Sequence, residues 1–427
     1  MNNISNLHSI KIKSENCVGC TNCLRVCPTE AIRIKNGTAI IKDLKCIDCG
    51  ECIKHCPHLA SWAQSDDLRI ISNYDYRILI LPSSFNGIDF LDIEPETIFK
   101  RIFALGFNEI WEEGIGAELY LLQTEKWLEM NAKKRPLIST SCPSVIRLLQ
   151  VSFPTLIPNI SPINAPKDLL AFFIREQRRD IKNLGVFYLA PCPARVTSVR
   201  NTQGLKKSPI DGVFDSKDLY RRIIKNNIIS EGKIFKAGRI GLSTGTIGGE
   251  GAFLKEKRVI KIDGIREVKN FIEKLEEEKV PPFDFLEAWA CPTGCTGGIL
   301  LPVNNISIAS YELEMSEKQR TNDFSSDIDT PKLYESLSKK TVFLDSKIKP
   351  RPQYFLAEDV TTAAKIMEKT KLIYSRLPKI DCGSCGAPSC YAFAEDVAKK
   401  EAKLIECIFL GKKSTKKNKQ EKKSAME

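Results

Sequence analysis

RPLISTSC (residues 135–142), LGVFYLAPC (184–192) and FDFLEAWAC (283–291) follow one plan: a short apolar run that ends on a cysteine, with proline next. Behind the first, PSVIRLLQ has helical spacing. A buried strand handing over to a helix is the repeating unit of α/β folds, and open sheets of this kind build their sites at the carboxyl ends of the strands. The plan therefore delivers Cys142, Cys192 and Cys291 to strand ends. Cys295, in EAWACPTGCTGG, makes a fourth thiol beside Gly297 and Gly298, whose missing side chains leave room for something bulky against the backbone.

The surrounding texture agrees. Tyr76–Leu81 reads as a buried strand, Pro95–Ala104 as a helix, Glu109–Trp111 as a short strand and Gly116–Ala132 as a long amphipathic helix. From about 304 to 353 periodicity is weak and charges are many, which reads as surface connections. An α/β domain over 75–355 results, flanked by two smaller ones.

Cysteine usage sets the chemistry. The 427 residues hold 16 cysteines and three histidines, His8, His55 and His58. No apolar h-region opens the chain, so a cytoplasmic location is expected and metal ligation, rather than disulfides, is the leading use of the thiols. No apolar run approaches the roughly 18 residues of a membrane span. With no histidine beyond 58, later histidine-based triads or zinc sites are excluded.

Eight cysteines form an internal repeat: Cys17, Cys20, Cys23 and Cys27 before Pro28, then Cys46, Cys49, Cys52 and Cys56 before Pro57. The intervening AIRIKNGTAIIKD carries a hairpin signal at Asn36-Gly37. In such runs three cysteines wrap one cubane and the fourth serves the partner cluster. The first 4Fe–4S cluster is thus expected on Cys17, Cys20, Cys23 and Cys56, and the second on Cys46, Cys49, Cys52 and Cys27. A pair of zinc knuckles is the alternative. Residues 1–66 form this α+β domain, which resembles the bacterial two-cluster ferredoxins. At the other end, DCGSCGAPSC and a following amphipathic helix set Cys382, Cys385, Cys390 and Cys407 for one more cluster within 358–410. Zinc is again the alternative. That block resembles a small 4Fe–4S domain of corrinoid-linked and electron-transfer proteins. A Lys-rich stretch, 411–427, reads as a disordered tail and carries five of the net +11 charges. It has no aromatics among its lysines, so nucleic acid is not expected as a partner. All sixteen thiols are accounted for by four 4Fe–4S clusters.

The three strand-to-cysteine segments resemble the cluster-binding signatures of the FeFe-hydrogenases, which read roughly TSCCP, MPCxxK and ExMxCxxxCxGG. The resemblance implies an α/β hydrogenase-like catalytic domain with Cys142, Cys192, Cys291 and Cys295 on the cubane of the hydrogen-activating cluster. Cys295 would bridge to a diiron subsite carrying CO, CN and a dithiolate amine. Departures are specific. Ser141 stands where the family has the proton-relaying cysteine, and a hydroxyl is a far weaker acid than a thiol. Ala190, before Pro191, replaces one methionine and Trp289 another; Arg195 replaces the lysine, and Ser198 a glutamate. Such changes resemble the sensory branch of the family. In that reading Ser141, Arg195 and Glu287 are the catalytic candidates, and Ala190, Pro191, Trp289, Gly297 and Gly298 line the cofactor. Plainer readings stand beside them: Ser141 as a helix N-cap, Arg195 as a solvated surface residue, Glu287 as a strand-end ion pair.

The resemblance implies slow interconversion of H2 with protons and electrons, exchanged with a redox partner such as a ferredoxin or with a signalling kinase or phosphatase. The rival readings are an electron-transfer or scaffold protein without the diiron subsite, and a redox-sensing interaction module without H2 chemistry.

Overall fold

The computed structural model describes residues 7–88, 93–131, 135–319, 327–351 and 359–410; the lysine-rich tail lies outside them. Two compact units share the chain. Of the described residues, one gathers 11–46, 51–62, 351 and 359–410; the other holds 7–10, 47–50 and those between 63 and 350.

In the first unit β1 (Ile10–Ile12) pairs with β4 (Ser61–Ala63), and β2 (Ile32–Lys35) runs antiparallel to β3 (Thr38–Ile41). The turn between β2 and β3 holds Asn36 and Gly37 at φ of 51° and 76°, the left-handed conformation that this dipeptide adopts at low cost. The C-terminal segment belongs to the same unit. Ile34 N donates to Gly386 O at 2.8 Å, and buried Arg33 pairs with buried Asp396, which Lys42 also reaches. Lys45 reaches Glu395 at 3.4 Å. The sequence separates 1–66 from 358–410 because it does not reveal these long-range ion pairs. The helix after the last CxxC is also shorter than expected. It spans Cys390–Ala398, the chain turns at Lys400 (φ 63°), and Cys407 arrives behind a single 3-10 turn, Leu404–Glu406.

The second unit contains two parallel sheets. One is ordered β10-β6-β5-β8-β9, from β5 (Tyr76–Leu81), β6 (Glu109–Glu112), β8 (Leu184–Ala190), β9 (Gly212–Asp215) and β10 (Lys233–Phe235). The other is ordered β11-β12-β7, from β7 (Leu137–Ile138), β11 (Val259–Asp263) and β12 (Phe285–Trp289). All seven residues of β8 are buried, as expected of a strand covered on both faces. Its neighbours register Ile80 with both Trp111 and Tyr188.

Two expectations change. The helix Gly114–Met130 is buried on every side from Gly114 to Leu121, so its outward polar face is confined to the second half. The stretch after 304 is not merely connective: it forms the helices Asn305–Gln319, Thr330–Ser336 and Lys339–Val342, and buried Tyr311 donates to Ser83 O at 2.9 Å. Local caps explain what periodicity missed. Asp329 accepts from Lys332 N, and Ser338 from Thr341 N.

Candidate metal centre

The strand-to-cysteine plan works across two sheets rather than along one edge. Cys192 follows β8 of the five-stranded sheet, whereas Cys142 and Cys291 follow β7 and β12 of the three-stranded one. Cys142 and Cys192 each stand at the start of a helix, Pro143–Ser152 and Pro193–Arg200. Backbone N–H groups of those first turns therefore face sulfur: Val145 and Ser144 toward Cys142, Arg195 and Ala194 toward Cys192. Ala290 N adds a third to Cys142 at 3.5 Å. Cys295 sits in the turn Gly294–Gly297.

The four thiols lie within electrostatic reach of one another. Burial pushes Cys192 up to about 11, with the Cys142 charge adding to it. Cys142, Cys291 and Cys295 are also raised, burial being the largest cause. For Cys291 the charges of Cys192, Cys142 and Cys295 follow burial. Four half-buried thiols that oppose one another's ionisation need a shared cation to become thiolates. An iron–sulfur cubane fits that donor set: four sulfurs, backbone N–H groups directed at them and one buried cation, Arg195.

Arg195 is no surface residue. It is buried, and its Nη1 donates to Tyr188 Oη at 2.6 Å and to Glu113 Oε1. Its Nη2 lies 3.3 Å from both Ser141 O and Cys295 Sγ. Burial opposes its charge, but Cys295 and Glu113 hold its pKa well above the ordinary value. Glu113 and Tyr188 thus belong to the site. The sequence signals them only by position, Glu113 directly after a strand and Tyr188 inside one.

Ser141 does not cap a helix. Cys142 occupies the N-cap, and the Ser141 hydroxyl donates instead to Glu250, a residue that carries no motif. Glu287 makes no ion pair among the described residues either. Its Oε1 accepts from Gly248 N at 2.7 Å and from buried Trp289 Nε1 at 3.0 Å, and its Oε2 from Gly251 N at 2.8 Å. It pins the segment that presents Glu250. The space at Gly297 and Gly298 is filled by backbone: an added Cβ would meet Pro292 O at 2.1 Å and Pro191 O at 2.5 Å. These glycines permit close chain approach, not a bulky neighbour. Ala190 and Pro191 are held by their carbonyls, which accept from Ser216 Oγ and Leu300 N, both at 2.9 Å.

Segment 47–50 joins this unit. Asp48 accepts from Arg147 Nη1 at 3.0 Å and from Ser9 N at 3.1 Å, and Ser144 Oγ donates to Ile47 O at 3.1 Å. Arg147 and Ser144 lie on the helix behind Cys142. Cys49 is close enough for its charge to bear on Cys291.

In the other unit Cys23 is raised to about 11 by burial and then by Cys17, Cys20 and Cys56. The structure thus brings together the four thiols expected on the first repeat cluster. Of the second set, Cys27 accepts from Ala31 N at 3.2 Å. Cys382, Cys385, Cys390 and Cys407 line one small cavity with Phe393 and Phe409.

Sequence families agree with this architecture. Residues 83–237 and 244–299 match the family described as the iron only hydrogenase large subunit, C-terminal domain. Residues 9–57 match a 4Fe-4S dicluster domain, and 377–409 a family of Fe-S cluster domains. Iron hydrogenase 1 of Clostridium pasteurianum is 23% identical over 193 residues, 43% of this chain and 33% of the relative. The gamma subunit of the acetyl-CoA decarbonylase/synthase complex of Methanocaldococcus jannaschii is 47% identical over 47 residues, 11% of this chain and 10% of that subunit. The chain thus spans a third of the first relative's length and a tenth of the second's. Two variants of FeFe-hydrogenase HydA1 from Chlamydomonas reinhardtii share the fold at TM-scores of 0.51 and 0.52 and 15% identity. The superpositions cover 65% and 66% of this chain and 94% and 98% of theirs.

Fold and thiols together define an iron–sulfur protein built on a hydrogenase-type α/β domain. The chain belongs to the FeFe-hydrogenase family, its large-subunit domain placed between a dicluster ferredoxin domain and a C-terminal Fe–S domain. Among the described residues no helix is long and apolar enough to cross a membrane.

Proposed function

We propose that this protein binds H2 and interconverts it slowly with protons and electrons, serving as a hydrogen or redox sensor. The observation that carries the reading is the convergence of Cys142, Cys192, Cys291 and Cys295 beside a buried arginine, with a serine hydroxyl where an acidic thiol would give speed. These cysteines would hold a cubane, and Cys295 would share its sulfur with a diiron subsite; bound there, the iron supplies the Lewis acid for splitting H2.

The chain's own groups do the rest. Arg195 keeps a positive charge against Cys295, Glu113 and Tyr188 fix its guanidinium, and the buried strand ends exclude bulk water. The cysteine repeat would hold the clusters that carry electrons away, and its Cys49 lies within electrostatic reach of Cys291. The redox partner would be a ferredoxin or a signalling kinase or phosphatase, and the C-terminal cubane a second outlet.

The electron-transfer reading without a diiron subsite has one observation in its favour: Arg195 Nη2 lies 3.3 Å from Cys295 Sγ, on the very thiol that would bridge to that subsite. Infrared spectra decide between them. The protein is purified without oxygen after co-expression with hydrogenase maturation factors. CO and CN stretches that shift when argon is replaced by H2 support the hydrogen reading; their absence with cubane iron fully loaded supports the electron-transfer one.

A further inference from the structure

Exposed apolar side chains gather around the C-terminal thiols. Ile405, Ile408 and Phe409 flank Cys407, Ile380 stands two positions before Cys382, and Tyr391 follows Cys390; all five are exposed, Ile405 most, at 70%. The thiols lie just beneath. Cys390 and Cys407 are buried, Cys382 and Cys385 half-buried, and Ile408 and Phe409 line the cavity that the four share. A cluster held there sits one side chain below the surface, under apolar groups that a protein leaves in water at a cost.

The charges around this patch are one-sided. Its acids are engaged: Glu395 with Lys399 and Lys45, Asp396 with Arg33 and Lys42, and Glu401 with Lys42 at 2.9 Å. Asp381 accepts from Cys390 N at 2.6 Å, and Glu406 from Lys403 N at 2.9 Å. The cations are not engaged in this way. Lys369, Lys371, Arg376, Lys379, Lys400 and Lys403 are exposed, and none forms an ion pair among the described residues. Lys379 Nζ lies 5.1 Å over the Tyr374 ring, which meets Tyr391 edge-on at 5.5 Å, so positive charge borders the apolar patch directly.

We propose that this patch docks an acidic one-electron carrier protein, whose carboxylates meet the outward cations and whose redox centre faces the apolar cover of the C-terminal cubane. The electron exchange rests on the reading of that cubane as an outlet; the docking surface does not. One electron crosses: the reduced cubane loses it, the carrier's centre gains it, and no bond or proton moves. H2 is its source in the proposed function, and dithionite in the test below.

An apolar centre with a charged rim is the anatomy of a protein interface, and small interfaces of this kind serve brief redox encounters. Unpaired cations on the rim steer a partner of opposite charge and set the salt dependence of its binding. A lipid surface also attracts lysines beside apolar groups, but elements that lie on membranes are amphipathic helices with a continuous apolar face. Here the apolar residues come from separate turns. Ile380 precedes the first thiol, Tyr391 opens the helix Cys390–Ala398, and Ile405, Ile408 and Phe409 surround the single turn Leu404–Glu406. What they share is the cluster cavity, which a carrier must approach and a lipid need not.

The test uses the anaerobic, cubane-loaded full chain. The probe is an oxidised acidic two-cluster ferredoxin, and vesicles of equal parts phosphatidylserine and phosphatidylcholine are the alternative. Wild-type protein should bind the ferredoxin at low salt and lose about tenfold in affinity at physiological salt. Arg376→Glu with Lys379→Glu should weaken binding about tenfold at low salt and little at high salt; Arg376→Gln with Lys379→Gln should lose less in the same direction. Ile405→Ser should weaken it at both. Lys13→Glu, an exposed position just ahead of the cysteine repeat, should leave it unchanged. The electron paramagnetic resonance of the C-terminal cubane should persist in every variant. Affinity that ignores the reversed charges, or falls equally in Lys13→Glu, overturns the proposal, as does binding to the vesicles with none to the ferredoxin. Protein reduced with dithionite and then freed of it should pass one electron to the docked ferredoxin, the cubane signal fading as the ferredoxin signal grows. If that cubane never accepts an electron, the outlet reading fails, and the affinity series alone decides the docking surface.

Discussion

Cys56 and Cys192 are both assigned to iron, yet their surroundings move them in opposite directions. Around Cys56 burial is outweighed by N–H groups of Ser61, Ala60 and His58, and its pKa falls; Ala60 N stands 3.2 Å from its sulfur. Cys382 is lowered in the same way by Ser384. Around Cys192 two N–H groups and Arg195 fail to offset burial, and the thiol rises to about 11. Loops with free backbone N–H groups present a sulfur that ionises readily at Cys56 and Cys382, although burial raises Cys23 and Cys385 in the same unit. The central pocket, assembled from strand ends of two sheets, presents sulfur that ionises only with a metal.

The strongest test of that difference removes single thiols. Cys291→Ala should cost the central cubane, about four iron per chain, while the ferredoxin-type resonance signals persist. Cys20→Ala, in an exposed loop, should cost only its own cluster and leave the α/β unit folded. If both variants lose the same species, the two regions are not independent binding sites. Next in size is a buried ion pair. Arg147→Ala strands buried Asp48 beside Cys49 and should destabilise the α/β unit by about 3–5 kcal/mol in denaturant titration. Asp48→Asn, which keeps an acceptor for Ser9 N, should cost less.

Ser141→Cys restores the thiol that the hydrogenase signature has at this position. If the diiron subsite is in place, H2 turnover should rise about tenfold or more, because a thiol is a far stronger acid than a hydroxyl. No gain, with CO and CN bands verified, would show that proton delivery does not limit the rate.

How much of this the sequence revealed depends on range. The repeat Cys17 to Cys56 and the hairpin at Asn36-Gly37 are local patterns, and the structure gathers Cys17, Cys20, Cys23 and Cys56 from them. The three strand-to-cysteine segments were legible because each carries its own apolar run. Partners of the polar residues were not. Ser141 looked like a cap because local rules favour serine before a helix, but a buried carboxyl group 109 positions away claims its hydroxyl. A solvated surface position was the plainer alternative for Arg195, and Glu113 and Tyr188 close over it instead. Glu250 had no signal at all: only the fold shows that the short helix Gly249–Phe253 carries it into the core.

The smallest effect is also the most specific to the centre. Glu250 is raised from 4.5 to about 8 on folding, by burial first and Glu287 second. Between those values the folded protein binds the proton that the unfolded chain has released, so this residue's share of stability is complete at low pH and is lost as pH climbs through about 8. Glu250→Gln, neutral in both states, removes that slope. In thermal unfolding followed between pH 5 and 9, the variant should fall less steeply than wild type, and the two curves should converge or cross toward the alkaline end. Parallel curves would mean that Glu250 is ionised in the folded protein. A matching Glu395→Gln change in the other unit should behave in the opposite sense. There Lys399 and Lys45 outweigh burial and hold the carboxyl below its usual value, so the substitution should remove stability that wild type keeps above the carboxylate range and loses on acidification.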